Sequence, residues 1–225
     1  MIQGDLAERP TYAIAEAARY CGISPQSVAR WRAGYTYPTL TGPRRSGPLT
    51  GGAASGLLTF TELIEVAVAA AARKAGVPMR AVRRAIAAAQ DAYGVERPLM
   101  LVAFSTDGRE LFTRELEASG AARYVNMSRF GQVAWEHIRD VLRDLEYDEV
   151  TGLALRWFPV GRDSLIVIDP QVSFGRPYVL RKGVSTDAVL SRFRALESLE
   201  EITEDLDLTR DEAEAALRFE LPPAA

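Results

Sequence analysis

Cysteine and histidine occur once each in 225 residues, at Cys21 and His137. A single cysteine excludes an internal disulfide and suits a reducing compartment. One cysteine and one histidine together leave no zinc ligand set. A Ser-His-Asp or Cys-His catalytic site would have to pass through His137. That residue lies inside an amphipathic helix pattern, with no nucleophile turn nearby. Lysine is also scarce, with Lys74 and Lys182 set against 25 arginines. Alanine is abundant at the same time, so the bias reads as a GC-rich genome rather than selection for phosphate binding. No run approaches the roughly 20 apolar residues of a membrane helix. The first ten residues, MIQGDLAERP, lack the basic-then-apolar pattern of a secretory signal. No glycine-rich dinucleotide fingerprint or phosphate loop is present. These absences predict a cytoplasmic protein that is not an enzyme, needs no cofactor or metal and contacts no membrane.

Charge is present, but unevenly. The net charge is −3. Residues 1–94 hold 11 basic and 6 acidic side chains, residues 95–196 hold 14 of each, and residues 197–225 hold 2 basic and 10 acidic ones. A basic head and an acidic tail are therefore hidden in the total. Phosphate attraction is local, screened within about 10 Å at physiological salt, so the tail does not bar the head from nucleic acid.

The head reads as a helix-turn-helix. In YAIAEAARYC, Ile14, Ala17, Ala18 and Cys21 share one helical face, and Gly22 stops the helix. Ser24 is an N-cap, and Pro25 suits the first helical position because its missing N–H would be unbonded there. Val28 and Trp31 then point inward, with Gly34 as the stop. Gln26, Ser27 and Arg30 are left outside, where Gln can pair adenine and Arg can reach guanine. Arg32, Tyr35, Arg44 and Arg45 suit phosphate contact. Residues 35–57, rich in glycine and proline, read as a loop or wing. Thr59 and Glu62 form a capping box, with Leu58 and Leu63 as its hydrophobic staple. Gly76 ends that helix, and Pro78 opens another. Its stripe of Met79, Val82, Ile86, Ala89 and Tyr93, opposite Arg80, Arg83 and Arg84, fits either the head's own core or a dimer contact.

Residues 99–168 read as a small α/β unit. One hairpin turns at Asp107-Gly108 and a second at Gly161-Arg162. Between them, residues 132–145 form a helix with Val133, Ile138, Val141, Leu142 and Leu145 inward. The tail holds three short helices. Val189, Leu190 and Phe193 mark the first, and the capping boxes Ser198/Glu201 and Thr209/Glu212 open the others. The predicted class is mainly α with a small α/β middle unit. The expected domains are 1–94, a helix-turn-helix head; 95–170, the middle; and 171–225, a helix-turn-helix-like bundle.

Residues 11–94 resemble the MerR-like helix-turn-helix class, with L-x-F-x-[DE]-L, an Ala-rich helix, a G-V-P step and an R-R helix. They lack that class's long C-terminal coiled coil. Residues 175–220, GRPYVLRKG through AALRFE, resemble a small bacterial helical family once filed as a domain of unknown function. One departure is Leu196-Glu197, where the family commonly has glycine. Joined in one chain, the two parts are similar to VapB-type antitoxins of bacterial toxin–antitoxin pairs. The resemblance implies a PIN-like (VapC-type) ribonuclease toxin as partner and operator DNA as target; a single head offers too little interface for tight binding, so a homodimer on a palindromic site is expected.

With the tail's charge, the resemblance assigns toxin contact to Glu200, Glu201, Glu204, Asp211, Glu214 and Arg218. Two routes stay open. The acidic tail covers a basic RNA-binding rim, or an arginine such as Arg218 enters the toxin's metal-binding carboxylates. The acids of the third tail helix predict that it enters no DNA groove. The competing readings are a free-standing regulator whose middle domain senses a ligand, and a nucleic-acid-processing enzyme.

Overall fold

Local signals of helix ends recur along the chain and set the positions of its helices. The computed structural model describes residues 6–38, 40, 42–49, 56–101, 104 and 127–221. These divide into two units, a head of residues 7–143 with 147–154 and a tail of residue 6 with 144–146 and 155–221. The residues expected to form a middle domain are thus shared between the two. The hairpin at Asp107-Gly108 and the side chain of Val133 lie outside the described residues.

In the head, β1 (Tyr12–Ala13) leads into α1 (Ile14–Tyr20) and α2 (Pro25–Ala33). Gly22 adopts φ +63°, and the Ile23 N–H donates to the Ala18 carbonyl at 2.9 Å, closing α1 in a left-handed cap. Ser24 caps α2 by accepting from the Ser27 N–H at 3.2 Å. Strands β2 (Tyr35–Tyr37) and β3 (Arg44–Ser46) follow as an antiparallel ribbon, and β4 (Leu57–Leu58) returns to pair with β1.

Next comes α3 (Phe60–Lys74), opened by the Thr59/Glu62 capping box, with Leu58 and Leu63 fully buried. Every residue from Phe60 to Ala72 is buried. Such a helix must be covered on all sides, and its many alanines let neighbours approach closely. Helices α1, α4 (Met79–Tyr93) and α5 (Met127–Arg143) pack against it. The apolar stripe of α4 is used here, because Val82, Ile86 and Ala89 are buried with Ala81 and Ala85 in the head's own core. Trp135, Ile138 and Leu142 are the buried face of α5, with Val141 half-buried.

Leu145 departs from the expected helix. It is fully buried but stands in β5 (Leu145–Tyr147), which pairs with β6 (Ala154–Trp157). The Asp144 carbonyl accepts the Phe158 N–H at 2.9 Å, so sheet pairing replaces the next helical turn. Trp157 and Ile168 exchange backbone hydrogen bonds of 2.9 and 2.8 Å around the predicted Gly161 turn. Strand β7 (Ile166–Val167) then pairs antiparallel with β8 (Tyr178–Val179).

The tail closes with α6 (Thr186–Arg194), α7 (Leu199–Leu206) and α8 (Arg210–Glu220). Val189, Leu190, Ile202, Leu208, Ala213 and Leu217 form their core against Ile166 and Val179. Phe193, which helps mark α6 in the sequence, is 43% exposed and stands outside the buried core. Ser198 and Thr209 cap α7 and α8 through the predicted boxes. The fold is mainly α, with a helix-turn-helix head and a three-helix tail bundle.

Candidate nucleic-acid interface

Helix α2 sorts its side chains by spacing. Val28 is fully buried and Trp31 is 7% exposed, which fixes the helix against the head core. The opposite face carries Gln26 and Arg30, both exposed, on consecutive turns. Ser27 lies at their edge, half-buried, with its hydroxyl 3.0 Å from that of Ser24. It is partly committed to the cap, so Gln26 and Arg30 are the freer pair.

The ribbon after α2 carries two further arginines. In the ribbon, Tyr35 faces Ser46, Thr36 faces Arg45 and Tyr37 faces Arg44. Arg44 and Arg45 are exposed and Tyr35 is half-buried. Tyr37 is 40% exposed beside Arg44, with its ring centroid 5.9 Å from that of Tyr35. Tyr37 is not among the residues expected from the sequence, where the Tyr-Thr-Tyr alternation is its only signal.

Gly34 joins helix to wing at φ +73°, and a Cβ there would stand 2.5 Å from the Ser46 carbonyl oxygen. Only glycine combines that backbone with so close an approach. The Leu49 N–H donates to the Trp31 carbonyl at 2.7 Å, binding the far end of the wing to α2.

Arg32 does not join this surface. It is 9% exposed, its Nη2 donates to the Leu57 carbonyl at 2.8 Å, and its Nε is 3.8 Å from Glu62. The guanidinium therefore braces α2 against β4 and α3, and the phosphate contact expected of it is corrected to a structural one. Arg83 likewise turns inward from the basic set of α4, with Nε donating to the Gly47 carbonyl at 3.1 Å. Cys21 is a free thiol that burial pushes up to about 12, which makes it unreactive.

In the tail, several acids are engaged within the unit. Glu201 accepts from both the backbone and the hydroxyl of Ser198, and these bonds hold its carboxyl below the usual range. Glu214 pairs with Arg210 at 2.8 Å, and Arg210 also reaches Glu200 at 3.3 Å. Glu200, Glu204 and Asp211 remain exposed on α7 and α8. Arg218 is exposed and lines a groove with Val160, Asp163, Leu165 and Phe219.

Glu212 contributes little to the outer charge. It is 3% exposed, and Arg181 grips both its oxygens at 2.7 and 2.6 Å, which with the Thr209 N–H brings its carboxyl down to about 2. Among the described residues no group of three or more Asp, Glu, His or Cys side chains could hold a metal. No helix among them is long and apolar enough to cross a membrane.

Two family models match the chain. Residues 10–86 match one described as "Putative DNA-binding HTH domain", and residues 166–219 match "Protein of unknown function (DUF433)". Over 224 residues the chain is 28% identical to "Putative antitoxin VapB45" of Mycobacterium tuberculosis, covering 92% of each. The X-ray crystal structure of Rv2018 from the same organism has the same fold, with a TM-score of 0.68 at 24% identity. That match covers 93% of this chain and 98% of the other. The resemblance to a VapB-type antitoxin with a helix-turn-helix head and a C-terminal helical domain is borne out by these matches.

Proposed function

We propose that this chain, similar over nearly its whole length to a protein described as an antitoxin, neutralises a PIN-like ribonuclease and represses its own operon. The observation that carries the reading is this similarity, together with a head whose outer face presents Gln26 and Arg30 beside an arginine-bearing wing. Gln26 and Arg30 read base edges in the major groove, with Ser27 adding a local contact. Tyr35, Arg44 and Arg45 hold the flanking phosphates. One head offers little surface, so two chains bind a palindrome together.

The acids of the tail serve a protein partner. Asp211, Glu214 and the exposed acids of α7 would be repelled by phosphate rows but attracted to the basic rim that a ribonuclease needs to hold RNA. Glu200, Glu201, Glu204, Asp211 and Glu214 make that contact, with Arg218 at its edge.

Footprinting on the DNA upstream of the gene tests the head. Arg30→Ala with Gln26→Ala should relax sequence preference, whereas Arg44→Ala or Arg45→Ala should weaken all sequences alike and lower the salt slope by about 1. A footprint unchanged in affinity and preference in the Arg30/Gln26 variant would refute the assignment.

A further inference from the structure

The turn between α6 and α7 leaves apolar side chains in solvent. Leu196 is 92% exposed, and Phe193, three residues before it, is 43% exposed. The core of the tail closes without either, on Val189, Leu190 and Ile202. Leu196 also carries a backbone cost. It stands at φ +67°, a conformation that a Cβ opposes and that glycine adopts freely. A single exposed leucine is ordinary on a protein surface. One held in a strained turn beside an exposed phenylalanine, with no packing to offset the strain, points to a use outside the fold.

The turn is held in one arrangement. The Leu196 N–H donates to the Phe193 carbonyl at 3.0 Å, and the Glu197 N–H to the Arg192 carbonyl at 3.3 Å. The Arg192 guanidinium donates to Glu197 and to Asp205, both at 2.6 Å, and so ties α6 to α7 across the turn. A contact made through Leu196 would therefore lose little backbone freedom.

Charge decides what this turn meets. Residues 192–205 hold two arginines and five acids, and Glu200 and Glu204 on α7 are exposed. Two copies of the chain brought together here would set those acids against each other. A basic surface with an apolar recess fits instead.

We infer that Leu196, flanked by Phe193, is the apolar anchor by which the tail seats itself in a recess beside the basic rim of its ribonuclease partner. The inference rests on the ribonuclease reading above. It adds to that reading the side chain that gives the contact its affinity, while the acids supply attraction and orientation.

The test is calorimetric titration of the full chain, parent and variants, against the purified product of the adjacent reading frame. Leu196→Gly should weaken binding about tenfold or more, the loss expected when one leucine stays in water. Its thermal midpoint should equal or exceed the parent's, so the loss is not one of folding. The same loss should appear at low and at high salt, because an apolar contact is not screened. Leu196→Ala, which keeps the backbone strain, should weaken binding as much, whereas Leu196→Met should retain most of it. Equal binding by the parent and the two truncated variants overturns the inference and leaves the ribonuclease reading standing. No binding by the parent overturns both. Self-association of the parent that Leu196→Gly abolishes in sedimentation would assign the turn to a second copy and overturn the inference as well.

Discussion

Replacing Glu65 by glutamine separates the charge of this side chain from its shape. The residue is 1% exposed in the middle of α3, with Oε2 2.8 Å from Arg97, itself only 23% exposed. Burial pushes the carboxyl up from 4.5 to about 7; Arg97 opposes the shift, and Glu62 and Glu8 add to it. The folded head therefore prefers the protonated acid. That contribution to stability is whole below pH 4.5 and is lost as the pH rises through about 7, a difference of roughly 3 kcal/mol.

Glutamine keeps an oxygen for Arg97 and cannot ionise. The variant should match the parent near pH 5 and exceed it by roughly 1–3 kcal/mol at pH 8. Urea denaturation in a Trp157→Phe background reads the head alone, because Trp31 and Trp135 belong to that unit and Trp157 to the tail. A difference between variant and parent that stays constant from pH 5 to 8, or grows in the parent's favour, would mean that folding does not raise the Glu65 carboxyl.

Three further outcomes are expected. Gly34→Ala should cost about 2 kcal/mol or more, from a positive φ and the 2.5 Å approach to Ser46, seen as a lower Tm and altered tyrosine dichroism of the wing. Leu196→Gly should stabilise the tail by about 0.5–1 kcal/mol in urea titration, since Leu196 sits at φ +67° and is 92% exposed. Arg181→Ala should lower the tail's thermal midpoint above pH 4.5. That penalty should fade as the pH falls through about 2, where Glu212 takes up its proton.

Where the determinants are local, the fold was legible. The Ser24 cap and Pro25 announce α2, and the boxes at Thr59, Ser198 and Thr209 open α3, α7 and α8, because each cap is settled within four residues. The glycine expected at position 196 also has a cause. The Glu197 N–H donates to the Arg192 carbonyl, which places residue 196 in the left-handed region.

The misread residues have distant partners. Arg32 is drawn inward by the carbonyl of Leu57, 25 residues on. Leu145 fits a helical period equally well, and only its pairing with a later strand decides otherwise. The exposure of Gln26, Arg30, Arg44 and Arg45 could be read from helical and strand spacing.

Restraint of a ribonuclease by the acidic tail, as proposed above, is open to direct measurement. The most direct measurement is RNA cleavage by the purified product of the adjacent reading frame, titrated with the full chain or with its Glu200→Lys, Glu204→Lys, Asp211→Lys variant. The parent chain should stop cleavage at stoichiometric amounts, and the variant should require at least about tenfold more. Cleavage untouched by the parent chain, or stopped equally well by both, would contradict it.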